Sequence, residues 1–252
     1  MEALTMVGEF SHGVGALIKG FGLMLRPGVK RYAALPFAIN FIVFAAIIWF
    51  GAHEFAYAVQ WIEAQLPEWL DWLKWLLWVL FGGVALLVVF YCFTFLIYIV
   101  GFPFNVFLAS RVDRSLNGRS MKGPDESFWR GFSADMGSLV QVLRYQIVWT
   151  VIVAVIGLVL LVIPGLNLLV PALWFVFGAW MLALGYSDLA LGQRGYRFKS
   201  QRQIFDRHRG RMLGFGCATA FATLFPILNL LVMPAAVAGA VWLWQDIPPR
   251  QE

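Results

Sequence analysis

One apolar phrase occurs twice in this chain. Ile163-Pro164-Gly165-Leu166-Asn167-Leu168-Leu169-Val170-Pro171-Ala172 returns as Phe225-Pro226-Ile227-Leu228-Asn229-Leu230-Leu231-Val232-Met233-Pro234-Ala235. Each copy lies inside a long hydrophobic stretch and sets two prolines around an asparagine. Proline removes a backbone donor and disfavours helix at the residue before it. Broken backbone at membrane depth is tolerated only where protein or a wet cavity satisfies it. The repeat therefore predicts segments that enter a bilayer, turn and return, and so points to a membrane conduit.

Composition fits that medium. Of 252 residues, 61% are hydrophobic and 13% charged, against roughly half and a quarter in soluble domains. The expected class is an all-α integral membrane protein. No cleavable leader is expected, because the first apolar span begins after Arg26, Lys30 and Arg31 and is too long for one.

Residues 1–25 place Phe10, Val14, Leu17, Ile18, Phe21 and Leu25 at helical spacing, which predicts an N-terminal amphipathic helix at the interface. Residues 33–52 are uncharged and give a first spanning helix, with Pro36 in its first turn. Trp69, Trp72, Trp75 and Trp78 mark a membrane boundary. They open a second, longer span over 72–108, with a kink expected at Pro103. Two helical hairpins follow, over 147–187 and 212–244. The arms of the first, Ile147 to Ile163 and Ala172 to Ser187, reach roughly 26 and 24 Å; those of the second, Met212 to Phe225 and Ala235 to Trp244, roughly 21 and 15 Å. A hydrocarbon core is about 30 Å thick, so both hairpins are expected to penetrate partially and re-emerge on one side. The whole forms one membrane domain, 1–252.

Charge supports this path independently. The segment before the first span, the 109–146 region and the 188–211 region are rich in Lys and Arg, whereas 53–71 carries acids alone. Basic loops favour the cytoplasm. Two crossings and two same-side hairpins put every basic loop on one side.

No catalytic constellation is present: no Gly-x-Ser-x-Gly, no phosphate-binding Gly-Lys-Ser/Thr loop and no His or Cys ligand pattern. A non-enzymatic protein without a cofactor or metal is expected. Cys92 and Cys217 read as isolated core residues. The Arg-rich 194–211 segment can meet anionic lipid headgroups, and no module suited to nucleic acid is seen. The sharper candidate is Arg26-Pro27-Gly28-Val29-Lys30-Arg31. A helix start offers free N–H groups and partial positive charge, glycine admits a ligand to the backbone, and two cations follow. That suits an oxyanion. Asn167 and Asn229 are the second candidate, as conduit lining or as partners for backbone groups the prolines leave free.

Phe21-Gly22-Leu23-Met24, Pro27 to Tyr32, Leu35-Pro36-Phe37-Ala38-Ile39-Asn40, Phe102-Pro103-Phe104-Asn105 and the two Pro-Leu-Asn-Pro hairpins resemble the CysZ-type sulfate permeases over essentially the whole chain. The resemblance implies a multi-pass protein of the bacterial inner membrane that imports sulfate for cysteine biosynthesis. It implies two long transmembrane helices plus partially penetrating hairpins, assembled as a homo-oligomer. It places sulfate binding on a Gly-Leu-Arg-Arg stretch, here Gly28, Val29, Lys30 and Arg31. Lysine in place of the first arginine keeps the charge but loses the planar fork. The alternative reading is a non-transporting membrane scaffold or regulator of sulfur assimilation.

Overall fold

The computed structural model describes residues 2–65, 74–118 and 136–249. Among them the regular structure is helical: α1 (Glu2–Met24), α2 (Lys30–Glu63), α3 (Lys74–Asn117), α4 (Met136–Val162), a short 3-10 turn (Leu166–Leu168), α5 (Leu169–Gly192), α6 (Phe198–Arg207), α7 (Arg209–Thr223) and α8 (Pro226–Leu243). The chain divides into two compact units, Ala33–Phe104 and the remainder, Met1–Tyr32 with Asn105–Glu252.

The 33–104 unit holds most of α2 and α3. α2 has 34 residues and is about 51 Å long. It starts three residues earlier than the apolar run and ends eleven later. Pro36 is therefore its seventh residue rather than a first-turn residue, and has no N–H to offer the Tyr32 carbonyl. Phe41 (74% exposed) and Trp49 (78%) face away from the chain. Phe55 meets Trp78 edge to face at 5.5 Å. α3 continues through Pro103 to Asn117. Trp69 and Trp72 of the expected belt lie outside the described residues, as do Arg119, Lys122 and Arg130; Trp75 and Trp78 are exposed.

The larger unit has the packed core. α1 lies against α7 and α8, and α7 also packs on α5. Small residues govern these crossings. A Cβ on Gly20 would fall on the Ala235 carbonyl, on Gly214 on the Phe10 carbonyl, and on Gly216 on the Ala179 carbonyl. Helices approach this closely only where side chains are nearly absent. The buried face of α1 is accordingly Gly13, Ala16, Leu17, Gly20, Leu23 and Met24, whereas Ile18 is 68% exposed. Phe10, Ile18 and Leu25 of the expected interfacial stripe are left uncovered by the chain, while the covered face follows glycine and alanine.

The hairpins differ from the arm-length estimates. α4 (27 residues) and α5 (24 residues) are about 40 and 36 Å long. With α2 they supply three stretches long and apolar enough to cross a membrane: Lys30–Ile62, Val140–Val162 and Leu166–Gly192. The first hairpin is therefore deep enough for two crossings, because α4 begins eleven residues before Ile147. The second hairpin stays short. α7 (15 residues) and α8 (18 residues) reach about 22 and 27 Å.

The repeated phrase also takes two shapes. In the first copy the chain breaks at Ile163 to Leu168, turning on Gly165 (φ 87°), and Pro171 sits in the first turn of α5. In the second copy the break comes earlier, at Leu224 and Phe225. Pro226 opens α8, which then runs through Asn229 and the buried Pro234. Both cysteines are free thiols; Cys92 is exposed, which corrects its reading as a core residue.

Candidate functional site

The segment between α1 and α2 is a tight turn. Pro27 fixes φ at its start, and Gly28 takes φ 86°, a left-handed conformation open to glycine. The Arg26 carbonyl accepts hydrogen bonds from the amides of Val29 (3.0 Å) and Lys30 (3.1 Å), and the Val29 carbonyl accepts from Tyr32 (2.9 Å). Val29, 3% exposed, pins the turn into the core. Three of the N–H groups expected to be free at this helix start, those of Val29, Lys30 and Tyr32, are thus used within the turn. What the site presents is the exposed Gly28 backbone and the exposed side chains of Arg26, Lys30 and Arg31.

The Arg31 guanidinium lies 5.2 Å from the centre of the Tyr32 ring. A second arginine, Arg111 near the end of α3, lies 5.2 Å from the same centre. One turn earlier on α3, Phe107 stacks on that ring at 6.4 Å. Phe107 and Arg111 are four residues apart on a helix and so share a face. Among the described residues no carboxylate pairs with Arg31 or Arg111. Asp113, two residues further on, is engaged elsewhere. Its Oδ1 accepts from Arg194 Nη2 (2.6 Å) and Asn117 Nδ2 (2.9 Å). Sequence reading missed Arg111 because it ended the helix at Leu108 and counted the arginine among loop charges. The i, i+4 pairing with Phe107 was the available signal.

Asn167 and Asn229 are brought neither to this turn nor to each other's role. Asn167 is exposed in the 3-10 turn at the tip of the first hairpin, and Asn229 is exposed near the start of α8. Neither carboxamide makes a hydrogen bond among the described residues, so neither ties up backbone freed by a proline. The Asn229 amide itself donates to the Phe225 carbonyl at 2.8 Å.

Behind the turn, the same unit is fastened by a buried polar hub. Arg194 donates to the Trp244 carbonyl, to the Ile247 carbonyl (2.8 Å) and to Asp113. The wholly buried Trp244 donates from Nε1 to Ser187 Oγ at 2.8 Å. A guanidinium placed on the last carbonyls of a helix satisfies them and complements the dipole. On the far face of α1, Glu9 accepts the His208 contact at 2.9 Å and approaches Arg211 at 3.8 Å, while His12 stacks on Trp242 at 4.8 Å.

Comparison with known proteins gives this arrangement its context. Residues 16–234 match the family described as sulfate transporter CysZ/etoposide-induced protein 2.4. The chain is 34% identical to the sulfate transporter CysZ of Pseudomonas paraeruginosa over 230 residues, covering 90% of this chain and 91% of the relative. It is 32% identical to the protein of that name from Pectobacterium atrosepticum over 238 residues, covering 93% and 84%. The protein of the same name from Salmonella enteritidis is 32% identical over 235 residues, covering 93% and 92%. The turn before α2, the first hairpin phrase and nearly all of the second fall within the matched span, and the chain belongs to the sulfate transporter CysZ/etoposide-induced protein 2.4 family.

Proposed function

We propose that this protein imports sulfate across the bacterial inner membrane into the cytoplasm, where it feeds cysteine biosynthesis, and that within Gly28 to Arg31 the Gly28 backbone, Lys30 and Arg31 hold the ion while the buried Val29 anchors the turn. One observation carries the site: a left-handed glycine turn presents two adjacent, exposed cations at the start of an apolar helix long enough to cross a bilayer. A dianion gains there from both charges and from the helix start. The relatives named sulfate transporters support the choice of ion. The two hairpins form the conduit, with the exposed Asn167 and Asn229 along it.

Lipid and further copies of the chain are the remaining partners. None of the most apolar window of α2 is buried within the chain, and a helix apolar all round needs a hydrocarbon or protein neighbour. A homo-oligomer supplies part of that cover.

Equilibrium sulfate binding to the purified protein in detergent tests the site. Lys30→Ala with Arg31→Ala removes two charge-assisted contacts and should weaken binding by about 100-fold or more. An affinity within about twofold of the unaltered protein would remove the assignment.

A further inference from the structure

We propose that Arg111 is a second-helix ligand of the bound sulfate, closing on the ion from the end of α3 while Lys30 and Arg31 hold it from the start of α2; this rests on the reading of Gly28 to Arg31 as the sulfate site. Tyr32 is common to both arginines. Its ring carries two guanidinium groups, those of Arg31 and Arg111, each with its carbon 5.2 Å from the ring centre. The two carbons are thus no more than about 10 Å apart. Phe107 stacks on the same ring and fixes which face of α3 is presented.

Two cations held this close repel each other, and the ring's negative face offsets only part of that. Among the described residues no carboxylate is paired with either arginine. Asp113 is committed to Arg194 and Asn117. Asp206 sits between Arg202 and Arg209, and Glu9 between His208 and Arg211. Two arginines without a carboxylate partner among the described residues, beside a glycine turn, fit a doubly charged oxyanion.

The chemistry of the turn gives Arg111 a specific task. Lys30 contributes a point charge, whereas a guanidinium engages two oxygens of one oxyanion in its plane. Arg31 supplies one such fork from α2 and Arg111 another from α3. A tetrahedral dianion has four oxygens to share between them. A monoanion such as nitrate gains less from the second cation. Arg111 therefore sets the preference for a dianion as well as affinity.

The test is sulfate and nitrate binding to the full-length protein in phospholipid-free detergent, comparing Arg111→Gln, Arg111→Lys, Arg202→Gln and the Lys30→Ala/Arg31→Ala pair. Gln keeps a polar stem on Tyr32, so the fold is retained, and melting temperature checks this. Arg111→Gln should weaken sulfate about tenfold or more and nitrate much less. Arg111→Lys should recover part of the loss. Arg202→Gln, a surface arginine on α6, should bind sulfate as the unaltered protein does. If Arg111→Gln binds sulfate normally while the Lys30/Arg31 variant does not, the role of Arg111 is overturned and the site on α2 stands. If the Lys30/Arg31 variant binds normally, the site on α2 fails and this inference fails with it. Equal losses of sulfate and nitrate in Arg111→Gln would overturn the selectivity role.

Discussion

Arg194 illustrates how one residue can answer several demands of a fold. It neutralises a buried Asp113, closes the end of α8 through the Trp244 carbonyl, and holds the following chain through Ile247. Both side chains of the ion pair are almost fully covered. Removing one partner of such a pair strands the other charge, at about 3–5 kcal/mol. Arg194→Ala should therefore lower the melting temperature in detergent by roughly 5–15 °C. Asp113→Leu with Arg194→Leu together should cost less than Arg194→Ala alone; a double variant as unstable as the single one would contradict this. In the sequence, Arg194 reads as one more loop charge that orients the chain. Nothing in its spacing distinguishes it from Arg197 or Arg202, because its partners are 81 and 50 residues away. Gly28 to Arg31 was legible, because a turn followed by cations is a local pattern. Arg111 was not, since its meaning depends on Tyr32 coming to meet it. His12 gives a pH test at the same scale. Burial, then the Arg211 charge, holds its pKa below the usual value of 6.5. The folded state thus favours neutral His12, so its contribution is present above pH 6.5 and is lost as pH falls below that value. Melting temperature should fall less between pH 7 and pH 5 in His12→Gln than in the unaltered protein; an unchanged slope would rule His12 out.

At the scale of elements, glycine sets the geometry. α1, α5, α7 and α8 cross where one helix shows hydrogen and the other a carbonyl. Gly214→Ala forces α7 away from α1 and should cost about 1–3 kcal/mol. Gly8→Ala is the matched control, because nothing lies within 4 Å of the added carbon; there a helical alanine should be neutral or stabilising by about 0.5–1 kcal/mol. Thermal unfolding of the two variants checks both signs, and equal effects would refute the packing account. Apolar runs located the helices but misjudged their ends. α2, α3 and α4 each continue for several turns past the hydrophobic stretch, since a helix is not obliged to stop where the lipid does. The repeat predicts a hairpin at each copy, and the two copies break at different places, the first of them at the glycine. Gly165 can take a left-handed turn there, whereas Ile227, at the matching place, belongs to a helix that Pro226 opens.

For the whole molecule, the apolar surface tells where the solvent is not water. Large side chains along α2, α4 and the middle of α3 are uncovered by the chain, among them Phe50, Leu86 and Val162. A soluble monomer rarely shows contiguous patches of this kind. Within the larger unit, α1, α7 and α8 form a tightly packed set of their own. The composition made this environment legible at once, while the division of roles among helices required the contacts. The central claim is that this chain alone passes sulfate and does so through the turn before α2. Radiolabelled sulfate uptake into liposomes containing only this protein tests it most directly. The account predicts saturable uptake well above protein-free liposomes, reduced about 100-fold or more at low sulfate by Lys30→Ala with Arg31→Ala. Uptake no greater than in empty liposomes, the result expected of a non-transporting scaffold, or full uptake by the double variant, would contradict it.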